Sequence, residues 1–508
     1  MEDTHDHPSQ GDSTHNLLAL RKSKLEKLRA SGVDPFRNEF QPAESVAQVR
    51  AHPTADRPVK IAGRLTAHRV MGKSMFCDLR DETDRIQIYL QQNTLGAESF
   101  DLFKHLDLGD ILGVEGEIFT TKTGELSIRV KAFTVLAKAL RPPPEKWHGL
   151  QDIEIRYRQR YLDLMSNVEV RDLFRHRSRI ILEIRDFLNA RRFMEVETPM
   201  MQAIAGGAAA KPFVTHHDAL GCNLFLRIAP ELFLKRLLVG GFERIYEINR
   251  NFRNEGISRR HNPEFTMLEV YEAYGDFETM MELAEEMIPA VARKIFGTLD
   301  INHHVPHGAP SKVIRLEPPW ERKTYRELLE NAVSPDFLNW TTDKKKDRAL
   351  QMGIKDVAQL EDFEVVNQIF EKIIEPALIQ PIFITHLPRQ LVPLAKISRD
   401  DPETVDVFEL CINGQEIAPG YSEQNDPLAQ RQQLVAQAGH ETQKLDEDFL
   451  AALEYGMPPA GGMGVGIDRL VMMLTGAESI RDVILFPQLK PREDKGGETP
   501  PTAPKPSP

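Results

Sequence analysis

Five short runs rich in β-branched and aromatic residues follow one another between residues 57 and 140, separated by Gly, Asp and Asn turns. One helix-like stretch at 98–105 interrupts them. Five short strands with one intervening helix are the pattern of a small closed barrel. The runs therefore predict a small closed barrel of the OB type. Such barrels often bind single-stranded nucleic acid on one face, but the fold alone does not establish that function.

The pattern changes at about residue 151 to long helices and longer strands. A helix is expected over 168–192, followed by strands that are mostly joined as hairpins. Few of these strands are linked by the single-helix crossovers of a doubly wound sheet, so an antiparallel α+β domain is favoured over a Rossmann domain. The fold prediction is thus α+β, with an N-terminal OB-type barrel before an antiparallel-sheet domain. The expected segments are a disordered N-terminus (1–16), a helix and lead-in (17–56), the barrel (57–140), a Pro-rich linker (141–165), the α+β domain (166–490) and a disordered tail (491–508).

Composition narrows the class of protein. Of the 508 residues only three are Cys, at 77, 222 and 411, with no close pair. This excludes a disulfide framework and a Cys-rich zinc site, and it suits the cytoplasm. No apolar run approaches the ~18 residues of a membrane span, so no membrane association is expected. The net charge is −12, but residues 17–165 carry 24 basic and 20 acidic groups, which permits local RNA binding.

A strand–loop–strand pattern at 242–271 concentrates polar groups. Arg253 and Glu255 are two residues apart near the end of the first strand, so alternation would point both side chains to one face. On the second strand, alternation places a ring, a thioether, a carboxylate and a phenol on one face. These are Phe265, Met267, Glu269 and Tyr271. The alternative is a salt-bridged edge hairpin without chemistry.

A second hairpin is predicted around Asn413-Gly414, a favourable two-residue turn. That turn pairs residue 411 with 416 and makes Glu409 and Glu416 diagonal neighbours. Two carboxylates this close favour a hard divalent cation. Glu423 would need a bulge near Pro419-Gly420 to reach the same face.

A glycine-rich run at 462–466 leads to Arg469 in the first turn of an apolar helix. Glycines let the backbone approach a ligand, and Arg469 could clamp a phosphate. Tight packing between a strand and a helix is the alternative explanation.

Together these segments resemble the class II aminoacyl-tRNA synthetases. The run Phe-Arg-Asn-Glu at 252–255, with its loop and second strand, resembles their motif 2, and 462–469 resembles motif 3. The helix that ends in FMEVETP at 193–199 resembles motif 1, the usual dimer interface. The barrel points to the aspartyl/asparaginyl/lysyl subgroup. Within it, the lysyl-tRNA synthetases are most similar, as in RIAPELFLKRLLVGGFERIYEINRNFRNEG at 227–256.

The resemblance implies roles for the residues of the two hairpins and the glycine-rich run. Arg253 would hold the α-phosphate and the substrate carboxylate, and Arg469 would cover the adenine and reach the γ-phosphate. Arg253 and Arg469 are therefore the expected catalytic residues. Glu409 and Glu416 would coordinate Mg²⁺ bound with ATP. The expected ATP contacts are Arg253, Glu255, His261, Phe265 and Arg469.

The resemblance also implies L-lysine and tRNA(Lys) as substrates. Acidic partners are needed for the two ammonium groups of lysine. Glu423 and Tyr271 would bind the ε-ammonium, Glu231 and Gly207 the α-amino group, and Glu269 would lie close by. In the barrel, the expected anticodon contacts are Phe76, Gln87, Arg69 and Glu125. A homodimer formed through the motif 1 region is expected.

Two positions depart from the resemblance. Pro419 stands where many relatives have Asn, and Gln424 where Leu is common. Proline lacks an N–H, so one polar contact to the substrate would be lost and lysine affinity altered. Three alternatives stay open: an aspartate or asparagine synthetase, a lysyltransferase that modifies elongation factor P, and an inactive paralogue that binds RNA. The acidic pocket disfavours the first and the barrel the second. The third is disfavoured because the phosphate and metal residues are all present.

Overall fold

A computed structural model describes residues 10–37, 39–144, 150–208, 210–303, 312–438 and 445–491. The described residues fall into two compact units, one within Met1–Asp152 and Tyr161–Ser166 and the other within Ile153–Arg160 and Asn167–Pro508. In the described part of the chain, no helix has both the length and the apolar character needed to cross a membrane.

The first unit contains the predicted closed barrel, with strand order β1-β2-β3-β5-β4. Alternate residues of its strands are buried, as in β3, where Ile86, Ile88 and Leu90 are inside. The helical insert between β3 and β4 is confirmed. The strands are β1 (Pro58–Met71), β2 (Ser74–Arg80), β3 (Arg85–Gln91), β4 (Ile111–Thr120) and β5 (Leu126–Ala137). The helices are α1 (Gln10–Ala30), α2 (Val46–Ala51), α3 (Gln92–Leu95) and α4 (Ala97–Lys104).

Two predicted boundaries differ from the structure. Helix α1 begins at Gln10, so the disorder expected for residues 1–16 is not seen from Gln10 onward, while residues 1–9 lie outside the described residues. Gly32, the predicted stop, follows the helix with a φ of 74°. The expected linker 141–165 contains two short helices, α5 (Ile153–Arg158) and α6 (Arg160–Ser166). The predicted tail lies outside the described residues from 492 onward.

An eight-stranded sheet organises the second unit, in the order β14-β15-β16-β17-β18-β11-β10-β6. Its neighbours are antiparallel except at the two ends, where β14 pairs with β15 and β10 with β6 in parallel. The strands of this unit are β6 (Met194–Glu195), β7 (Met201–Gln202), β8 (Val214–His217), β9 (Cys222–Leu226), β10 (Arg244–Phe252), β11 (Glu264–Ala273), β12 (Asp300–His303), β13 (Lys312–Arg315), β14 (Glu321–Thr324), β15 (Ile382–Thr385), β16 (Val407–Ile412), β17 (Gln415–Ser422) and β18 (Ala460–Gly466).

Helices pack on both faces of this sheet. Residues such as Leu268 and Val270 point into a core shared with the long amphipathic helices α7 (Val168–Ala190) and α9 (Phe277–Phe296). Ile245 and Tyr271 pack on the other face, against α8 (Glu231–Val239) and α14 (Glu447–Glu454). Because side chains alternate along a strand, the odd-numbered residues of β11 point to the other face. The helices are α7 (Val168–Ala190), α8 (Glu231–Val239), α9 (Phe277–Phe296), α10 (Tyr325–Ala332), α11 (Thr342–Gln351), α12 (Asp362–Ile369), α13 (Pro427–Ala438), α14 (Glu447–Glu454), α15 (Ile467–Thr475) and α16 (Ile480–Val483).

Candidate functional site

An open cavity of about 260 Å³ lies over the face of the sheet that α9 leaves uncovered. All five residues expected to contact ATP line it, together with Glu416 and Pro419. Arg253 stacks on the Phe265 ring, with its guanidinium carbon 5.1 Å from the ring centre. The polar cluster predicted from the strand pattern therefore exists. The hairpin also carries the ion pairs Arg244–Glu272 and Arg250–Glu264, but it is not at an edge, because β11 pairs with β18 and β10 with β6.

Arg253 and Glu255 reach the same cavity by a route that differs from the prediction. Strand β10 ends at Phe252, so alternation along a strand does not apply to them. Instead, the Arg253 N–H donates to the Pro263 carbonyl, and the Glu255 N–H donates back to the Arg253 carbonyl, each at 2.9 Å. This tight turn brings both side chains to the cavity.

Arg253 lies near three carboxylates. Burial lowers the pKa of its guanidinium, and neighbouring negative charges oppose that effect. The carboxylates concerned are Glu255, Glu416 and Glu269. The Nε atom of Arg253 is buried and has no hydrogen-bond partner among the described residues. A ligand oxygen at this position would satisfy it.

Arg469 is held in place at the start of α15. It donates a hydrogen bond to the Glu416 carbonyl at 2.9 Å, and its other terminal nitrogen lies 3.2 Å from His261 Nε2. Burial, followed by the charge of Arg469, lowers the pKa of His261. The imidazole is therefore neutral at pH 7 and accepts the bond from Arg469. The second His261 nitrogen contacts the Ser258 hydroxyl at 2.9 Å.

One buried ion pair joins the three motifs below this cavity. Arg177 of α7 lies 2.6 Å from Asp468 and also donates to the Thr266 hydroxyl at 3.1 Å. The Thr266 N–H donates to Asp468 at 2.7 Å. Because Thr266 follows Phe265 and Asp468 precedes Arg469, these bonds fix the two residues expected on either side of the adenine.

The predicted β16–β17 hairpin is confirmed, including the pairing of Cys411 with Glu416. The bulge that brings Glu423 to the same face also exists, but its predicted position was wrong. The extra residue is Ile417 rather than one near Pro419-Gly420, because Ile417 and Ala418 are both buried in the core.

Glu409 and Glu416 are suited to a divalent cation. Burial and the negative charge of Glu416 raise the pKa of Glu409 well above its usual range. Glu371 and Glu375 add further negative charge there. Within the described ranges, no group of three or more His, Cys, Asp or Glu side chains has the arrangement of a metal site. Magnesium is commonly held by only two carboxylates together with substrate phosphates, so the pair fits this ion.

Beyond Arg253, helix α8 and the sheet face carry a group of carboxylates, phenols and one lysine, all buried except the half-buried Tyr421, which we call the acidic pocket. It contains Glu231, Lys235, Glu269, Tyr271, Tyr421 and Glu423. Glu231, Glu269 and Glu423 are 5%, 6% and 1% exposed. Burial and the charge of Glu231 raise the pKa of Glu269 well above the usual value. The Tyr271 hydroxyl donates to Glu269 at 3.3 Å, and the Tyr421 hydroxyl to Glu231 at 2.7 Å.

Glycines keep the floor of this pocket open. A Cβ added to Gly462 would collide with Glu423 Oε1 and lie 2.6 Å from the Tyr271 ring. One added to Gly464 would lie 2.6 Å from Met267 Cε. Gly207, with a φ of 85°, rests against Glu231 at the pocket edge, as expected. The glycine-rich run therefore serves the site as well as the packing of β18.

Sequence reasoning missed two members of the pocket. Lys235 lies one helical turn after Glu231, and Tyr421 lies two residues before Glu423 on the same strand face. Both spacings were visible in the sequence.

The two residues that depart from the family resemblance lie in different surroundings. Pro419 lines the cavity opposite Glu409, and Gln424 is buried with its amide 3.5 Å from Gln433.

On the barrel, three of the four expected anticodon residues lie on the neighbouring strands β1, β2 and β3, and Glu125 directly precedes β5. Phe76 stacks on Tyr89 at 4.7 Å and is paired with Arg69 across β1 and β2. Gln87 accepts a hydrogen bond from Ser127, and Glu125 forms an ion pair with Arg85. The row of rings continues from Tyr89 to Phe119, over which Arg129 stacks. Tyr89, Phe119 and Arg129 were not predicted.

Comparison with known proteins agrees with this arrangement. A family model described as "tRNA synthetases class II (D, K and N)" matches residues 152–490, and one described as "OB-fold nucleic acid binding domain" matches residues 59–136. The lysine–tRNA ligase of Pelotomaculum thermopropionicum is 50% identical over 493 residues, which cover 95% of this chain and 96% of that protein.

Two further relatives give the same picture. The lysine–tRNA ligase of Carboxydothermus hydrogenoformans is 49% identical, covering 94% of this chain and 99% of its own length. That of Syntrophomonas wolfei is 50% identical, covering 95% and 99%. The chain therefore belongs to the class II aminoacyl-tRNA synthetases, in the family that comprises the aspartate, lysine and asparagine enzymes.

Proposed function

We propose that this chain is a lysine–tRNA ligase, which activates lysine with ATP and transfers it to the 3′ end of tRNA(Lys). The observation that carries the proposal is that Arg253 lines the open cavity and interacts with Glu269, one of the three buried carboxylates of the acidic pocket. An acid-lined pocket suits a side chain that ends in an ammonium group and repels one that ends in a carboxylate. The near-full-length similarity to lysine–tRNA ligases supports the same substrate.

The first step is attack by the lysine carboxylate on the α-phosphate, with pyrophosphate leaving. A carboxylate is already a nucleophile, so positioning and charge neutralisation supply most of the rate enhancement. In this proposal, Arg253 binds both the substrate carboxylate and the α-phosphate. Phe265 and Arg469 hold the adenine between them, and Glu255 accepts a hydrogen bond from its amino group.

The two ends of lysine contact different parts of the acidic pocket. The α-amino group is bound by Glu231 and the Gly207 backbone, and the ε-ammonium by Glu423 and Tyr271. Glu269 lies between these groups. The terminal adenosine hydroxyl of tRNA then attacks the carbonyl carbon of the adenylate and AMP leaves.

Glu409 and Glu416 are the proposed ligands of Mg²⁺. When bound, the ion neutralises phosphate charge and orients the pyrophosphate leaving group. Glu409 makes no hydrogen bond or ion pair to any described residue. A cation between the two carboxylates relieves the repulsion that raises the pKa of Glu409.

A homodimer through the motif 1 region is also part of the proposal. Several large apolar side chains of α7 and the segment after it are exposed, which suits a surface covered by a second copy. They are Leu182, Met194, Met200, Met201 and Val214, at 54%, 42%, 42%, 56% and 59%. Light scattering of the purified chain tests this part. A mass of one chain at micromolar concentration would contradict it.

The proposed compartment is the cytoplasm, which suits three unpaired cysteines.

ATP–pyrophosphate exchange with Mg²⁺, measured with each of the twenty amino acids and no tRNA, tests the activation step. Exchange with lysine alone is expected. Exchange with aspartate or asparagine would keep the fold and refute the substrate, and no exchange with any amino acid would favour an inactive paralogue. In that last case Pro419 would be the first residue to restore to Asn.

A further inference from the structure

The acidic pocket already contains an ammonium group of the protein itself. Lys235 of α8 is fully buried, with its Nζ 2.7 Å from Glu231 Oε1 and 2.5 Å from Glu423 Oε2. The same Nζ lies 5.5 Å from the centre of the Tyr421 ring. Lys235 is thus a cation beside the residues that are expected to bind a cationic substrate. Its position needs a physical explanation.

The formal charges of the acidic pocket explain why Lys235 is present. With every carboxylate ionised, Glu231, Glu269 and Glu423 contribute −3, and Lys235 reduces this to −2. Free lysine brings two ammonium groups to the pocket, while its carboxylate faces Arg253. The filled pocket is therefore neutral only if Lys235 is present. Without it, one buried negative charge would stay unpaired, which is strongly unfavourable.

The hydrogen-bonding capacity of the carboxylates leads to the same conclusion. Lys235 and the Tyr421 hydroxyl both contact Glu231 Oε1, and Lys235 contacts only one oxygen of Glu423. Neither Glu423 oxygen accepts a hydrogen bond from a described residue: Oε2 is held by its ion pair with Lys235, and Oε1 faces Gly462. Lys235 thus orients Glu423 through charge and leaves Oε1 as a buried acceptor for a ligand.

We infer that Lys235 is a specificity-determining residue, whose ammonium sets the charge and orientation of the pocket so that it accepts an amino acid with two ammonium groups. The inference rests on the proposed use of lysine. It differs from a purely structural role, in which Lys235 would only stabilise α8 through its pairing with Glu231 one turn away.

The test compares Lys235→Met with Lys345→Met in lysine-dependent ATP–pyrophosphate exchange at pH 8.5. Methionine keeps most of the side-chain volume and removes the charge. Lys345 is a matched control, because it is 3% exposed and paired with Asp362 at 2.7 Å, and it is not part of the acidic pocket. We expect Lys235→Met to lower kcat/KM for lysine by about 100-fold or more and to change KM for ATP less than threefold. Lys345→Met should change neither value more than threefold.

Chemical rescue separates charge from packing. In Lys235→Ala, added n-propylammonium should restore at least a tenth of the lost kcat/KM for lysine, whereas 1-propanol, similar in size but uncharged, should restore none. Circular dichroism checks that each variant is folded. If folded Lys235→Met keeps its kcat/KM for lysine within threefold, or if the alcohol rescues as well as the amine, the inference is wrong. If the unmodified chain does not use lysine, the proposed function itself fails, which is a distinguishable result.

Discussion

Glu423 combines the lowest exposure of the pocket carboxylates, at 1%, with two oxygens that accept no hydrogen bond from any described residue. A carboxylate in such a position is costly unless a cation completes its surroundings. Lys235 supplies part of that charge, and the ε-ammonium of lysine would supply the rest. Substitution of Glu423 is therefore the most direct test of substrate specificity.

Replacing Glu423 by Gln should weaken the use of lysine far more than the use of ATP. Loss of one partner of a buried charge pair costs about 3–5 kcal/mol, which corresponds to about 100-fold or more in kcat/KM for lysine. Steady-state exchange kinetics with each substrate varied in turn measure both effects. Glu447→Gln is the control, since this carboxylate is exposed and pairs with Arg431 on the surface. Equal losses for lysine and ATP would refute the ammonium-binding role.

The use of lysine should also depend on pH. Burial raises the pKa of Glu423 to about 8, although the charge of Lys235 lowers it. Only the ionised carboxylate attracts an ammonium group, so kcat/KM for lysine should fall as pH is lowered from 9 to 6. The fall approaches tenfold per pH unit well below the pKa. In Glu423→Gln this fall of kcat/KM at low pH should be absent. If the fall persists in that variant, it is caused by the titration of another group.

At the scale of single elements, helix α7 makes a buried contact with the start of α15 and with β11. This contact links the three synthetase motifs. Arg177 and Asp468 have side chains that are 13% and 3% exposed. Removing either partner should lower the free energy of unfolding by about 3–5 kcal/mol, because the other charge is left buried and unpaired.

A double-mutant cycle with Arg177→Met and Asp468→Asn, followed by denaturant unfolding, measures this coupling. The double variant should be more stable than the less stable single variant. KM for ATP should rise in both single variants, because Phe265 and Arg469 lose their support. Additive effects on stability would show that the pair is not coupled.

Phe76 on strand β2 of the barrel allows tRNA recognition to be tested separately from lysine activation. Phe76→Ala should reduce tRNA charging by about 5- to 150-fold in kcat/KM for tRNA, the range expected for loss of one base–aromatic stack. Lysine-dependent exchange without tRNA should be unchanged. Phe36→Ala is the control, because Phe36 is an exposed aromatic of the same unit, at 48%. A collapse of exchange in Phe76→Ala would mean that the barrel is more than an anticodon reader.

Elements differ in how far the sequence could predict them. Alternation along β11 and the Asn413-Gly414 turn predicted side-chain directions and register correctly, because both depend on local backbone geometry. The position of the bulge could not be predicted, since it depends on Ile417 and Ala418 entering a core built from distant strands. The charge balance of the acidic pocket was also missed: Lys235 and Glu423 are 188 positions apart, and only the tertiary fold pairs them.

For the molecule as a whole, the two units carry two separate proposed tasks, tRNA recognition in the barrel and the chemistry in the α+β unit. The barrel presents a row of rings and arginines, and the α+β unit contains the cavity and the acidic pocket. The sequence predicted this division well, because the spacing of short strands and the hairpin pattern are local properties. The resemblance to class II synthetases then supplied the roles, which no pattern of a single sequence could assign.

The most direct test of the whole account is aminoacylation of total deacylated tRNA with ATP, Mg²⁺ and an equimolar mixture of all twenty amino acids. Mass spectrometry of the charged 3′-terminal adenosine identifies the amino acid, and hybridisation identifies the tRNA. The account predicts lysine as the attached amino acid and tRNA(Lys) as the acceptor. Aspartate or asparagine on its own tRNA, or no charged tRNA from an active, folded preparation, would contradict it.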